Sequence, residues 1–139
     1  MSNYLEEALG KQLCRNTAGP TPATVWVSLH TADPTDAGSG AEVTGGAYAR
    51  VSCTTGTSGT GVGSIFNAPT NPGGLVENAS AITFPSPIAN WGTVTHFGIW
   101  DAATVGNLLI HGALTTSRTI NNGDSAPSFA VGELDITFA

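Results

Sequence analysis

Charge is what this sequence has least of. Only 10% of its 139 residues are Asp, Glu, Lys or Arg, against about 25% in ordinary globular domains. The four basic residues, Lys11, Arg15, Arg50 and Arg118, stand singly. Nucleic-acid affinity comes mainly from clustered Lys and Arg neutralising phosphates, so no nucleic-acid partner is expected. The same shortage, with a formal net charge of −6, argues against docking on an anionic membrane. Long apolar runs are missing too. The best, Leu108-Leu109-Ile110, is soon interrupted by His111 and Gly112, far short of the ~20 residues a spanning helix needs. The opening Met1-Ser2-Asn3-Tyr4-Leu5-Glu6-Glu7 shows no basic segment followed by an apolar one, so no secretion signal is expected. Cys14 and Cys53 form no CxxC pair, and reduced thiols from cytosolic synthesis are the simplest expectation.

What the chain does have is 18 glycines, 8 prolines and abundant Thr and Ser, the composition of a turn-rich, neutral-surfaced β protein. Its length fits one domain. One helix is predicted, over residues 3–15: Asn3 as cap, Glu6 three residues on, and an apolar stripe of Leu5, Ala8, Leu9 and Leu13 with Cys14 beside it. Gly19, Pro20 and Pro22 end it. The helix is too short to stand alone, so its stripe must pack on something.

From Thr24 onward the period is two. Val25, Val27 and Leu29 alternate with Trp26, Ser28 and His30. Further strands are expected over 48–54, 81–84, 93–101, 108–114 (apolar on both faces, hence central), 116–120, 128–131 and 134–138. Residues 32–46 read as a loop or loose hairpin. Residues 55–74, with only Val62, Ile65 and Phe66 as apolar anchors, read as a Gly/Pro-rich extended arm. About eight short strands imply a mainly β fold, an antiparallel, jelly-roll-like β-sandwich over 24–54 and 75–139 with the helix appended.

Catalytic patterns are weak. His30, His96 and His111 all lie inside predicted strands, where a hydrogen-bonded packing role is the ordinary one. Gly56-Thr57-Ser58-Gly59-Thr60 lacks the last glycine of a nucleophile elbow. Gly59-Thr60-Gly61-Val62-Gly63 lacks the Lys and helix of a phosphate loop. His96 and His111, on adjacent strands, lack a third metal ligand at defined spacing. Asp33, Asp36 and Glu42 surround Gly38 and Gly40 without the alternation of a calcium loop. Asp101, Asp124, Glu133 and Asp135 read as solvated turn acids rather than a glycosidase pair. Asn78-Ala79-Ser80 is read as a chance glycosylation triplet. No catalytic residue, metal or cofactor is expected. Of the aromatic candidates for a sugar platform, Trp26 and Trp100 are expected in or against the core and Trp91 at a surface or interface. A neutral Thr/Ser/Gly/Ala surface points to a structural subunit covered by partners.

Three stretches sharpen this reading: Ser2 to Glu6, VWVSLHTADPTDAGSGAEVTGGAYARV at 25–51, and ITFPSPIANWGTVTHFGIWDAATVGNLLIHGALTTSRTINNGD at 82–124. Together, with LHTADP and WGTVTHFGIWDA the most specific strings, they resemble a family of small virion proteins of tailed bacteriophages, labelled tail-fibre-like, head decoration or virion structural. Residues 55–74 depart from that pattern by being longer and richer in Gly and Pro. The resemblance implies a β-sandwich without catalysis and a place on the virion. A capsid decoration (cement) protein bridging major capsid subunits is the leading expectation, with a tail-fibre, tail-associated or adaptor protein and a host-glycan-binding appendage as alternatives. Expected contacts are Tyr4, Leu5, Leu9, Leu13, Phe66 within the arm, Trp91 and the 33–46 loop. Expected partners are the major capsid protein and further copies of the chain, a trimer ahead of a dimer.

Overall fold

The computed structural model describes residues 1–54, 66–67 and 73–137. The expected arm at 55–74 therefore lies mostly outside the described residues.

Helix α1 spans Asn3–Arg15, and its cap is Ser2, one residue before the expected Asn3. The Ser2 hydroxyl accepts the Leu5 N–H at 3.2 Å and donates to the Leu108 carbonyl, while the Ser2 N–H donates to Leu109 O at 3.0 Å. A small hydroxyl residue can cap the helix and enter a buried crevice at once, and Ser2 is buried. With the cap moved, Glu6 falls one place too late for a capping box. Asn16 closes the helix in the left-handed region at φ 50°.

The described strands are β1 Thr24–His30, β2 Val51–Thr54, β3 Leu75–Glu77, β4 Ile82–Thr83, β5 Gly92–Trp100, β6 Leu108–Ile120, β7 Ser128–Phe129 and β8 Asp135–Thr137. They form a four-stranded antiparallel sheet in the order β2-β1-β5-β6 and two ribbons, β3-β8 and β4-β7. Mainly β, antiparallel and carrying one N-terminal helix, the architecture is the expected one. The ribbons and the residues flanking them supply Ile82, Phe84, Leu134 and Ile136 to a core shared with Val25, Val27, Leu29, Phe97 and Ile99 of the large sheet. Phe129 joins the layers, meeting Phe84 and Phe97 edge-on with ring centroids 6.3 and 6.5 Å apart.

Several strands differ from expectation. The predicted 108–114 and 116–120 strands are one, β6, and it lies at a sheet edge rather than the centre. Both of its faces are apolar near Leu108 for a tertiary reason: Leu109 faces the core, and Leu108, on the Trp100 side, lies under the 31–46 loop, where a Cβ on Gly38 would stand 3.1 Å from the Leu108 Cβ. A register shift between Val94 and His96 breaks the simple alternation of β5. Val94 thus joins Phe97 and Ile99 in the core, where strict alternation groups it with His96. The expected strand at 48–54 begins only at Val51, because the Tyr48 hydroxyl turns in to accept the Leu29 N–H at 2.9 Å. β3 had no sequence expectation. It forms by pairing with β8, and its end is held by buried Asn78, whose amide binds Ser80 O, Ala130 O and the Leu134 N–H. Asn78 is thus a structural residue.

Candidate functional site

All three histidines lie on one face of the large sheet. Register pairs His30 with His96 and Gly98 with His111, so a period of two puts them on the side that also carries Trp26, Ser28 and Trp100. His30 is fully buried. Its Nδ1 donates to Gly40 O at 2.7 Å, and its Nε2 lies 2.7 Å from Ser28 Oγ, which also accepts the Trp100 indole N–H at 2.8 Å. A Ser-His pair at this distance has the spacing of an activated nucleophile, but both residues are sealed from solvent and no substrate reaches them. The packing role expected for a strand histidine is what His30 plays. Burial, more than any charge, holds its pKa below the ordinary 6.5. Gly98 belongs to the same knot, because a Cβ there would stand 2.7 Å from Ser28 Oγ and 2.9 Å from the Trp100 indole nitrogen.

The 31–46 loop folds back over this face. Thr31 N–H donates to Ala41 O and Val43 N–H to Leu29 O, extending β1 into a loose hairpin. Asp33 and Asp36 both reach His111, at 3.3 Å from Nδ1 and 3.0 Å from Nε2. Asp33 also accepts the Thr35 N–H, the main reason its carboxyl is held below the ordinary range. Glu42 turns elsewhere, so the three loop acids do not converge on one point.

Glu42 instead takes Arg50. The guanidinium donates from Nε at 2.8 Å and Nη2 at 2.7 Å to the two carboxylate oxygens, and from Nη1 to Ala102 O and Val105 O, both at 2.9 Å. It also lies 3.8 Å over the Trp100 ring. This one cation ties the 42–50 segment to the 101–107 turn. That turn is clasped internally, with Asp101 accepting both the backbone and side-chain N–H of Asn107 at 2.7 and 2.8 Å. At its tip Val105 takes φ 57° and is 85% exposed, a conformation a β-branched residue strongly disfavours. Between the two segments runs an open cleft of about 470 Å³, lined by Trp26, Thr44, Tyr48, Arg50, Thr104 and Val105 among others.

The residues expected at contacts scatter. Tyr4 is exposed, Leu5 and Leu9 are half-buried, and Leu13 is 83% exposed at the free end of α1. Phe66 is half-buried against the protein's own core, bridged to Asn78. Trp91, expected at the surface, is only 5% exposed. Its indole N–H donates to Gly46 O at 3.0 Å and its ring meets Tyr48 edge-on, so it pins the loop to the core. Trp26, expected in or against the core, is the half-buried tryptophan of the three and lines the cleft. Asp101, Asp124 and Glu133 brace turns through backbone N–H groups, as expected of turn acids, whereas Asp135, expected in a turn as well, opens strand β8 opposite Glu77, because pairing with β3 draws it into the ribbon. No local pattern marks Arg50 in the sequence. The one available signal was a lone cation in a nearly uncharged stretch. Nothing in the sequence announced the backbone of Val105 beyond the Gly106 that follows it.

The profile of the podophage GP4 fiber I protein gp80 family matches residues 1–137. The chain belongs to that family. It is therefore a bacteriophage virion structural protein of tail-fibre-like kind, as the resemblance of its LHTADP and WGTVTHFGIWDA segments implied. No curated protein matches it. The Ser28-His30-Trp100 knot joins the sheet to its covering loop through His30 Nδ1 on Gly40 O.

Proposed function

We propose that the protein is a fibre-type component of the virion's outer surface, attached to its neighbours through α1. One observation carries this reading. The helix is held to the domain by its first turn, through Ser2, the Asn3 N–H on Asp36 O and the half-buried Leu5, while the rest of its apolar stripe ends in Leu13 at 83% exposure. Burying such a leucine against a partner is favourable by about 1.5–3 kcal/mol. The partners are further copies of the chain, a trimer ahead of a dimer, and the structure that carries the fibre.

A second reading, capsid decoration that bridges major capsid subunits, draws support from the sparse surface charge: at 10% charged residues, contacts with neighbours cost little desolvation of ions. Copy number separates the two. Quantitative mass spectrometry of purified virions against the major capsid protein should give a ratio of a few percent for a fibre, and a ratio near one or one third for decoration. Leu13→Glu should fold normally yet fail to enter particles. Normal incorporation of that variant would remove α1 as the attachment element.

A further inference from the structure

We propose that Asn122 is a self-modification site, a spontaneous deamidation that the folded turn holds back and that opening of its contact with residues 85–91 sets off. Of the nine asparagines in the chain, Asn122 alone is followed by glycine. Glycine has no Cβ to crowd its own backbone nitrogen, so that nitrogen can reach the preceding side-chain carbonyl and close a five-membered ring. A Cβ placed at Gly123 would meet nothing within 4 Å, so the surroundings leave room for the ring. The Asn122 carboxamide is exposed and makes no hydrogen bond among the described residues.

In the reaction the Gly123 nitrogen gives up its proton and attacks Asn122 Cγ. The new N–Cγ bond replaces Cγ–Nδ2, and ammonia leaves with that proton. Water then opens the cyclic imide at either carbonyl, leaving aspartate or isoaspartate at 122. An intramolecular attack of this kind needs only the two groups in reach.

Hydrogen bonds keep them out of reach. Gly123 N–H donates to Pro87 O at 3.0 Å, and Asn122 N–H donates to Asn90 Oδ1 at 2.8 Å. Asp124 N–H on Asn121 O at 3.2 Å and Asn121 N–H on Asp124 Oδ2 at 2.8 Å close the turn. Gly123 holds φ 83°, as the third residue of a type II turn does. The nucleophile thus faces Pro87 with its proton in use. Ring closure needs that bond broken and the peptide plane rotated, so the reaction runs through local opening of the 85–91 contact. The product cannot close again in the same way. Isoaspartate carries the backbone through one more carbon, which puts the two N–H groups out of step with Pro87 O and Asn90. It also adds a carboxylate two residues from Asp124 in a chain already at −6. Residues 85–91 hold Gly46 O through the Ile88 N–H and the Trp91 indole N–H, so the change reaches the 42–50 segment. None of this depends on whether the protein sits on head or tail.

Peptide mass spectrometry of the full chain, incubated at mildly alkaline pH and sampled over time, tests this. The readout is a gain of one mass unit on the peptide holding residue 122, with isoaspartate separated from aspartate by chromatography. In urea Asn122 should deamidate faster than every other asparagine. In folded protein at the same pH it should react at least about tenfold more slowly, the protection given by one modest local opening. Asn90→Ala removes the acceptor for Asn122 N–H from an exposed position and should speed the folded reaction about two- to tenfold. Asn122→Gln, whose longer side chain disfavours the ring, should abolish the mass gain there, folded or in urea. Deamidated protein, separated by charge, should unfold at a lower temperature than fresh protein. The proposal fails if Asn122 is no faster than other asparagines in urea, or if folded and unfolded chains react alike. It also fails if Asn90→Ala leaves the folded rate unchanged or speeds every asparagine equally, which would make global unfolding the gate.

Discussion

Replacing Arg50 by methionine tests the claim that one cation organises an end of this fold. The variant keeps an unbranched apolar stem but loses both bonds to Glu42, both to the carbonyls of Ala102 and Val105, and the contact at 3.8 Å over Trp100. Removing one partner of a buried ion pair costs about 3–5 kcal/mol, chiefly from the charge left behind. The Arg50 side chain is 7% exposed but that of Glu42 is 24% exposed, and Glu42 keeps the Tyr48 O–H at 3.1 Å, so water recovers part of that penalty. Loss of the ring contact adds about 0.5–1 kcal/mol. The expected total is about 3 kcal/mol, or about 10 °C in Tm for a chain of this size. Urea unfolding followed by tryptophan fluorescence at pH 7 measures it. Arg50→Lys, which keeps the charge and loses the fork, should cost about half as much. In a cycle with Glu42→Gln the coupling should be about 2 kcal/mol. A loss below about 1 kcal/mol for Arg50→Met, or additive single variants, would reduce the pair to an ordinary surface bridge and refute the reasoning.

Other outcomes follow from the same geometry. Because burial lowers the His30 pKa below the 6.5 of the unfolded chain, the unfolded state binds the extra proton as pH falls through 6.5. Stability should decline below that point down to the folded pKa, with a slope of up to about 1.4 kcal/mol per pH unit. His30→Gln should flatten that slope in urea titrations from pH 8 to 5. Native protein should react with a thiol reagent at exposed Cys14 alone, since Cys53 is buried with its pKa pushed up to about 11; labelling of Cys53 should appear only on unfolding. Ser2→Ala should cost about 1–2 kcal/mol in thermal unfolding, through cap and buried hydroxyl together, while Leu13→Ser should change the isolated protein by less than about 0.5 kcal/mol.

The sequence by itself settled what local physics controls. The β1 alternation from Val25 to Leu29, the Leu-rich stripe of α1, the turn acids and the overall β character were all legible, since each depends on side-chain period or turn chemistry within a few residues. The family was legible as well, through strings such as WGTVTHFGIWDA. Tertiary structure decided the remainder. β3 exists because β8 pairs with it, and β6 is an edge although its apolar residues read as central. The shift at Val94 reverses the facing expected for it. Trp91 went inward because the loop carbonyl at Gly46 supplied an acceptor for its indole N–H, while Trp26 is the half-buried ring of the three. The cleft is tertiary altogether. Its walls lie far apart in the chain, and an Arg50 bonded at once to Glu42, Ala102 and Val105 has no local pattern to announce it. Period and composition report how a residue sits in its own strand. Which partner covers that strand is a contest between segments distant in sequence, and only the assembled fold resolves it.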